Sequence, residues 1–161
     1  MGSEDSYWLD RDAYDWPTVL RGWRDLRWIP SRVRVWLVSC FGEPIMIFED
    51  ESVHKLDPAS GSVDRLATNR DEFSDLLEED DELARDWFMV PLVDEAREAG
   101  LSLSSGQCYG FTIPTVLVEG DYSLSNVRVR DLAEYHAFLA DFHGQIDDVP
   151  DGGLIRFDWT D

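Results

Sequence analysis

Only two cysteines, Cys40 and Cys108, occur in the 161 residues. Two such residues make no disulfide framework, and neither stands in a Cys-x-x-Cys metal spacing. Both read as reduced, buried, small hydrophobes. Lysine is scarcer still: Lys55 stands alone and every other cation is an arginine. Against 14 Lys plus Arg stand 34 acids, for a formal net charge of −20. Such a chain repels nucleic acid and anionic membranes and attracts basic proteins or cations. Solubility alone, or a salt-adapted acidic proteome, accounts for the same balance. No basic segment followed by an apolar run opens the sequence, and no apolar stretch reaches the length of about 18 residues that a membrane span needs. Neither a signal peptide nor a transmembrane helix is expected, and the default compartment is the cytoplasm.

Catalytic signatures are missing too. Gly106-x-x-x-Gly110 lacks the Gly-Lys-Ser/Thr that completes a phosphate loop. There is no Gly-x-Ser-x-Gly elbow and no His-Glu-x-x-His. His136 and His143 lie two helical turns apart, about 10.5 Å of rise, too far to chelate one ion directly. They flank an apolar stripe and read as structural, as does His54 in a strand. No catalytic residue, metal or cofactor is expected.

What the sequence does hold is apolar and aromatic: 43% hydrophobic residues, with seven Trp, eight Phe and five Tyr. That suffices for one domain that folds without metal or disulfide. Residues 1–14 read as a loosely held acidic lead-in, and 15–161 as a single α+β domain. Asp15 and Pro17 start a helix over Trp16–Leu26, with Trp16, Val19, Leu20, Trp23 and Leu26 on one face. Arg21, Arg24, Arg27, Arg32 and Arg34 form the one basic region. It reads as a source of internal ion pairs, with phosphate binding the second reading. Residues 33–38 are rich in β-formers but fit a short buried helix as well. Residues 44–48, 53–56 and 62–66 read as a meander of short strands separated by turns.

Helices follow. Asn69, with Glu72 three residues on, begins one that runs through Leu77. A second spans Leu83 to Ala99, with Pro91 ending or kinking it near Val90. Residues 126–130 alternate as a strand. Asp131 and Glu134 open the clearest helix, on which Leu132, Tyr135, Leu139, Phe142 and Ile146 share a face. Residues 154–159 read as a terminal strand. The expected architecture is a mostly antiparallel sheet of short strands with three to four helices packed on it.

At the centre lies Gly106-Gln107-Cys108-Tyr109-Gly110-Phe111-Thr112-Ile113-Pro114. Tyr109, Phe111 and Ile113 alternate with Cys108, Gly110 and Thr112, the period of a strand. Gly106 can supply a positive φ, Gly110 marks a bulge or a close backbone approach, and Pro114 marks a strand end. This stretch resembles the signature of an immunity-protein domain of bacterial type VI secretion systems, once filed as a domain of unknown function. Phe41-Gly42, Ser52–Asp57, Asn69–Phe73, Asp86–Asp94, Asp121-Tyr122-Ser123 and His143–Gly152 match in type and spacing, so the resemblance spans about residues 16–152. One departure falls after the proline, where the family usually reads Val-Leu-Gly-Gly-Glu-Tyr. Here Val116-Leu117-Val118-Glu119-Gly120-Asp121-Tyr122 has one glycine fewer and is one residue longer. The resemblance implies a structural role for Gly106, Gln107, Cys108, Tyr109, Gly110, Phe111 and Pro114. It also implies a protein that shields its own cell from a secreted DNase effector, so the expected partner is a basic toxin, with no direct nucleic-acid or membrane partner.

Residues 71–86 hold nine acids and one base, Arg85, and are densest at Glu78, Glu79, Asp80, Asp81 and Glu82. Two readings stand: a solvated junction between helices, or a surface that mimics nucleic-acid phosphates to a basic partner. The functional reading is a binding protein, not an enzyme. The rivals are a small intracellular enzyme with an acidic pocket and a regulatory scaffold of the same wider immunity superfamily.

Overall fold

The computed structural model describes residues 7–149. The expected terminal strand at 154–159 lies outside the described residues, as do positions 1–6 of the lead-in. Among the described residues the order is α1 (Trp16–Arg27), β1 (Arg34–Val38), β2 (Pro44–Ile47), β3 (Val53–Asp57), β4 (Ser62–Ala67), α2 (Arg70–Glu79), α3 (Asp81–Trp87), α4 (Val90–Glu98), β5 (Gln107–Phe111), β6 (Val127–Asp131) and α5 (Leu132–Ile146). The class is α+β with antiparallel pairing throughout. The strands form two sheets: a four-stranded meander β1-β2-β3-β4 and a two-stranded ribbon β5-β6. The Tyr109 amide donates to the Cys40 carbonyl over 2.8 Å and ties the ribbon to the meander.

The four-stranded sheet is covered on both faces. All four residues of β2 are buried, as a strand between two layers requires. Met46 joins Val38 and Leu56 in a core built with α1 and α5, around Trp23, Leu132, Tyr135 and Leu139. Ile45 and Ile47 point the other way and pack with Val53, Ala67, Phe73 and Phe88 under α2 and α3. The strand period of two thus divides one strand between two cores. β5 does the same: Cys108 belongs to the α1–α5 core, while Tyr109 and Phe111 pack with Phe41 and with Leu92, Val93 and Ala96 of α4.

Leu139 and Phe142 are buried, as are Trp23, Phe73, Tyr109 and Phe111. Trp16 and Ile113 are half-buried. The long helix expected over 83–99 is two helices. Met89 takes a left-handed conformation, φ 49°, between α3 and α4, and Pro91 sits in the first turn of α4. Residues 7–14 are docked, not loosely held. The Leu9 amide donates to Val38 over 2.7 Å, and Trp8 bridges to Ser39. The Tyr14 hydroxyl donates to the Gln107 carbonyl over 3.1 Å.

Candidate partner-binding surface

The acidic run is built on a one-residue corner. Asn69 caps α2 by accepting from the Glu72 amide over 2.8 Å. The Glu72 carboxylate reaches back one residue further than a capping box does and accepts from the Thr68 amide over 2.9 Å. That bond holds its pKa below the usual glutamate value. At the other end Asp80 leaves helical geometry, with φ −134° and ψ 96°. Its carboxylate accepts from the amides of Glu82 and Leu83 over 3.1 and 3.2 Å. Asp80 therefore ends α2 and caps α3 at once.

Glu78, Glu79, Asp80, Asp81 and Glu82 are all exposed. Among the described residues none of the five forms an ion pair. Their placement against the helix dipoles is unequal. Asp81 and Glu82 occupy the first turn of α3, where negative charge is favoured. Glu78 and Glu79 occupy the last turn of α2, beside its free carbonyls, and no basic residue accompanies them there. At the α2 end helix dipole and side-chain charge add, at the α3 end the dipole offsets the charge, and the five carboxylates themselves make this corner a focus of negative potential.

The hairpin that presents the run is held by aromatic rings. Phe73 stacks on Trp87 of α3 at 5.2 Å between centroids and meets Trp36 of β1 edge-on at the same distance. Phe73 is buried, so both short helices are fixed against the sheet.

Of the motif residues, Cys108 joins the α1–α5 core, and Tyr109 and Phe111 join the core under α4. Gly106 takes φ +86°. The Gln107 side-chain oxygen accepts from the Ser104 amide over 2.8 Å, and Cys108 is buried under Gly42. The Tyr109 hydroxyl donates to the Leu101 carbonyl. Gly110 keeps regular register opposite Arg128, so it marks a close approach and not a bulge. A Cβ there would fall 2.8 Å from the ring of Tyr135. The Phe111 amide donates to the hydroxyl of the same tyrosine over 3.2 Å. Pro114 is buried three residues past the end of β5.

The histidines are paired internally. His136 is enclosed between Trp23 and the Gly42 carbonyl, and burial lowers its pKa to about 4. The Nε2 of His143 lies 3.1 Å from the Pro58 carbonyl. His54 stacks on Phe48 and meets Ser52 Oγ at 2.8 Å. Three arginines of the basic region pair within the chain: Arg27 makes a two-bond fork to Asp147, with both bonds 2.8 Å, while at the exposed surface Arg32 reaches Glu49 and Arg34 reaches Glu51.

One pair escaped sequence reasoning. Glu43 is 1% exposed, accepts from Ser39 Oγ over 2.8 Å, and faces the lone lysine, Lys55, at 3.4 Å. Burial and the nearby charge of Asp57 push its pKa up to about 7, against the pull of Lys55 and Ser39. The uniqueness of Lys55 was the available signal. The pairing of Ile45 with Lys55 brings the two side chains together, and register of that kind is not written in either segment. Among the described residues no group of three or more His, Cys, Asp or Glu side chains could hold a metal ion. No helix among them is long and apolar enough to cross a membrane.

Fold and surface together define a small acidic α+β protein whose most distinctive exposed feature is uncompensated negative charge. Residues 67–143, just under half of the chain, match the family model described as T6SS immunity protein Tdi1, C-terminal. The match runs from the end of β4 into the last turns of α5, and so takes in the acidic hairpin and the whole central motif. It is narrower than the span of the resemblance and leaves Phe41-Gly42 and Ser52–Asp57 outside. The match implies the role of a type VI immunity protein. No curated protein matches the chain.

Proposed function

We propose that this chain is a cytoplasmic immunity protein that binds a cognate type VI effector, a basic nuclease, and neutralises it by stoichiometric complex formation. The observation that carries the reading is the α2–α3 corner: five exposed acids, two of them against an unfavourable helix end, on a rigid hairpin inside the matched segment. Like charge held this densely destabilises the free protein, and the cations of a nuclease cleft relieve it on binding. The enzyme alternative would draw on Glu43, whose pKa is displaced. That carboxyl is sealed from solvent and answers to Ser39 and Lys55, the arrangement of a structural pair.

The reading expects a toxin gene directly beside the gene for this chain. Co-expression of the two in a host that the toxin alone kills is the test. Restored growth, with a one-to-one complex on gel filtration, supports it. Unrelieved killing with both proteins present refutes it.

A further inference from the structure

Between β5 and β6 the chain makes a loop over residues 113–122 that exposes three large apolar or aromatic side chains. Val118 is fully exposed, at 103%, while Val116 and Tyr122 are 46% and 50% exposed. In a chain so rich in charge, three such groups on one loop stand out.

The loop is braced. Asn126 is buried and its side chain makes three hydrogen bonds across the loop's base. Oδ1 accepts from the Ile113 amide over 2.8 Å, and Nδ2 donates to the carbonyls of Ile113 and Asp121 over 2.9 and 2.8 Å. Inside the loop the Leu117 amide donates to Pro114 and the Gly120 amide to Leu117, each over 3.0 Å. Gly120 passes so close that a Cβ there would fall 2.0 Å from the Pro114 carbonyl oxygen, which makes this the glycine the loop cannot replace. Thr115 Oγ1 lies 3.4 Å from the Ala59 carbonyl and 3.3 Å from the Tyr122 hydroxyl, and fastens the loop to the turn between β3 and β4. Leu117 packs into the α1–α5 core while its two valine neighbours face out. Valine has few rotamers to lose, and a loop with fixed ends has little backbone freedom to lose.

The charge around the loop selects its occupant. From Phe111 to Val127 the only charged residues are Glu119 and Asp121, both acidic and both exposed. A second copy would bring two −20 chains together, and nucleic acid or an anionic membrane is repelled in the same way. We propose that Val116 and Val118, rimmed by Glu119 and Asp121, are the apolar anchor that docks into a pocket on a cationic protein surface. This rests on the immunity reading, in which that surface belongs to the toxin. The acidic corner governs arrival, and the loop governs how long the complex lasts.

The probe is the toxin encoded beside this gene, inactivated by mutation and immobilised for interferometry. Wild type is compared with the double variant Val116→Ser/Val118→Ser and with Val118→Thr, which keeps the shape of valine. Both side chains are exposed, so an unchanged thermal midpoint is expected and verifies folding. The double variant is expected to dissociate at least about tenfold faster, with its association rate within about threefold of wild type. Val118→Thr is expected to fall between the two. Wild-type dissociation from the double variant overturns the loop proposal alone. If wild type itself does not bind the toxin, the immunity reading fails and the loop proposal falls with it.

Discussion

The indole N–H of Trp23 donates to Nδ1 of His136 over 3.0 Å in the centre of the α1–α5 core. Indole can only donate, so Nδ1 is unprotonated and the ring's proton sits on Nε2. That nitrogen lies 2.6 Å from the Gly42 carbonyl, to which it donates. One neutral tautomer thus joins α1, α5 and the β1–β2 turn.

Replacing His136 with Asn is expected to lower stability by about 1–3 kcal/mol for each partner left unsatisfied. Affinity for the toxin should be unchanged where the variant is folded. Urea denaturation at neutral pH measures the first effect, and titration calorimetry the second. A folded variant that binds normally yet fails to protect would contradict the binding-only account.

His136 and Glu43 make opposite demands on pH. The unfolded histidine takes up its proton near 6.5 and the folded one only near 4. The unfolded state therefore binds more protons in that window, and stability falls as pH falls through it. Glu43 is raised from 4.5 to about 7, so the folded state holds the extra proton and stability falls as pH rises through that window. Each effect amounts to about 3 kcal/mol over its full window. The two offset each other where the windows overlap, between 4.5 and 6.5. In Glu43→Gln the offset is gone. The stability of the variant relative to wild type should rise with pH between 4.5 and 7, whatever constant penalty follows from leaving Lys55 unpaired. Urea denaturation of both proteins at several pH values tests this, and parallel curves would contradict it.

Phe73 carries the platform of the acidic run. Phe73→Ala removes the ring that meets both Trp36 and Trp87, and should destabilise the protein by about 3–5 kcal/mol. Hydrogen exchange should quicken first in α2 and α3. Protection unchanged in those helices would show that they are held by something else.

The sequence revealed what is local. The caps at Asn69 and Asp131 lie where side-chain type and spacing put them, with bonds of 2.8 and 3.0 Å to the third residue on. Of the apolar stripe of α5, Leu132, Tyr135, Leu139 and Phe142 are buried as its period requires, and Ile146 at the helix end is half-buried. The break before Pro91 is local too, although the left-handed residue is Met89, which nothing in its side chain announces. Pairing across distance was not legible. The division into two sheets depends on which edges meet, and Glu43 and Lys55 come together only through the β2–β3 register. The docking of Tyr14 on Gln107, 93 residues on, is of the same kind. In the candidate site the exposure of residues 78–82 was readable from composition, but the capping role of Asp80 was not.

That role shapes the steering experiment. Glu78→Gln, Glu79→Gln, Asp80→Asn, Asp81→Asn and Glu82→Gln in one chain removes five charges while asparagine keeps the cap. At 0.15 M ionic strength screening acts over about 8 Å, so a dense cluster steers where scattered charges do not. Stopped-flow association with the toxin should be slower and its salt dependence flatter, with dissociation changed less. Unchanged rate and slope would make the run a solvated junction and nothing more.

The central claim is neutralisation by occupancy, and titrating the toxin's nuclease activity with this protein tests it most directly. At toxin concentrations well above the dissociation constant, activity should fall linearly and reach zero at one equivalent. Complete inhibition by a small fraction of an equivalent would point to turnover, and undiminished activity at excess would mean that the nuclease is not the target.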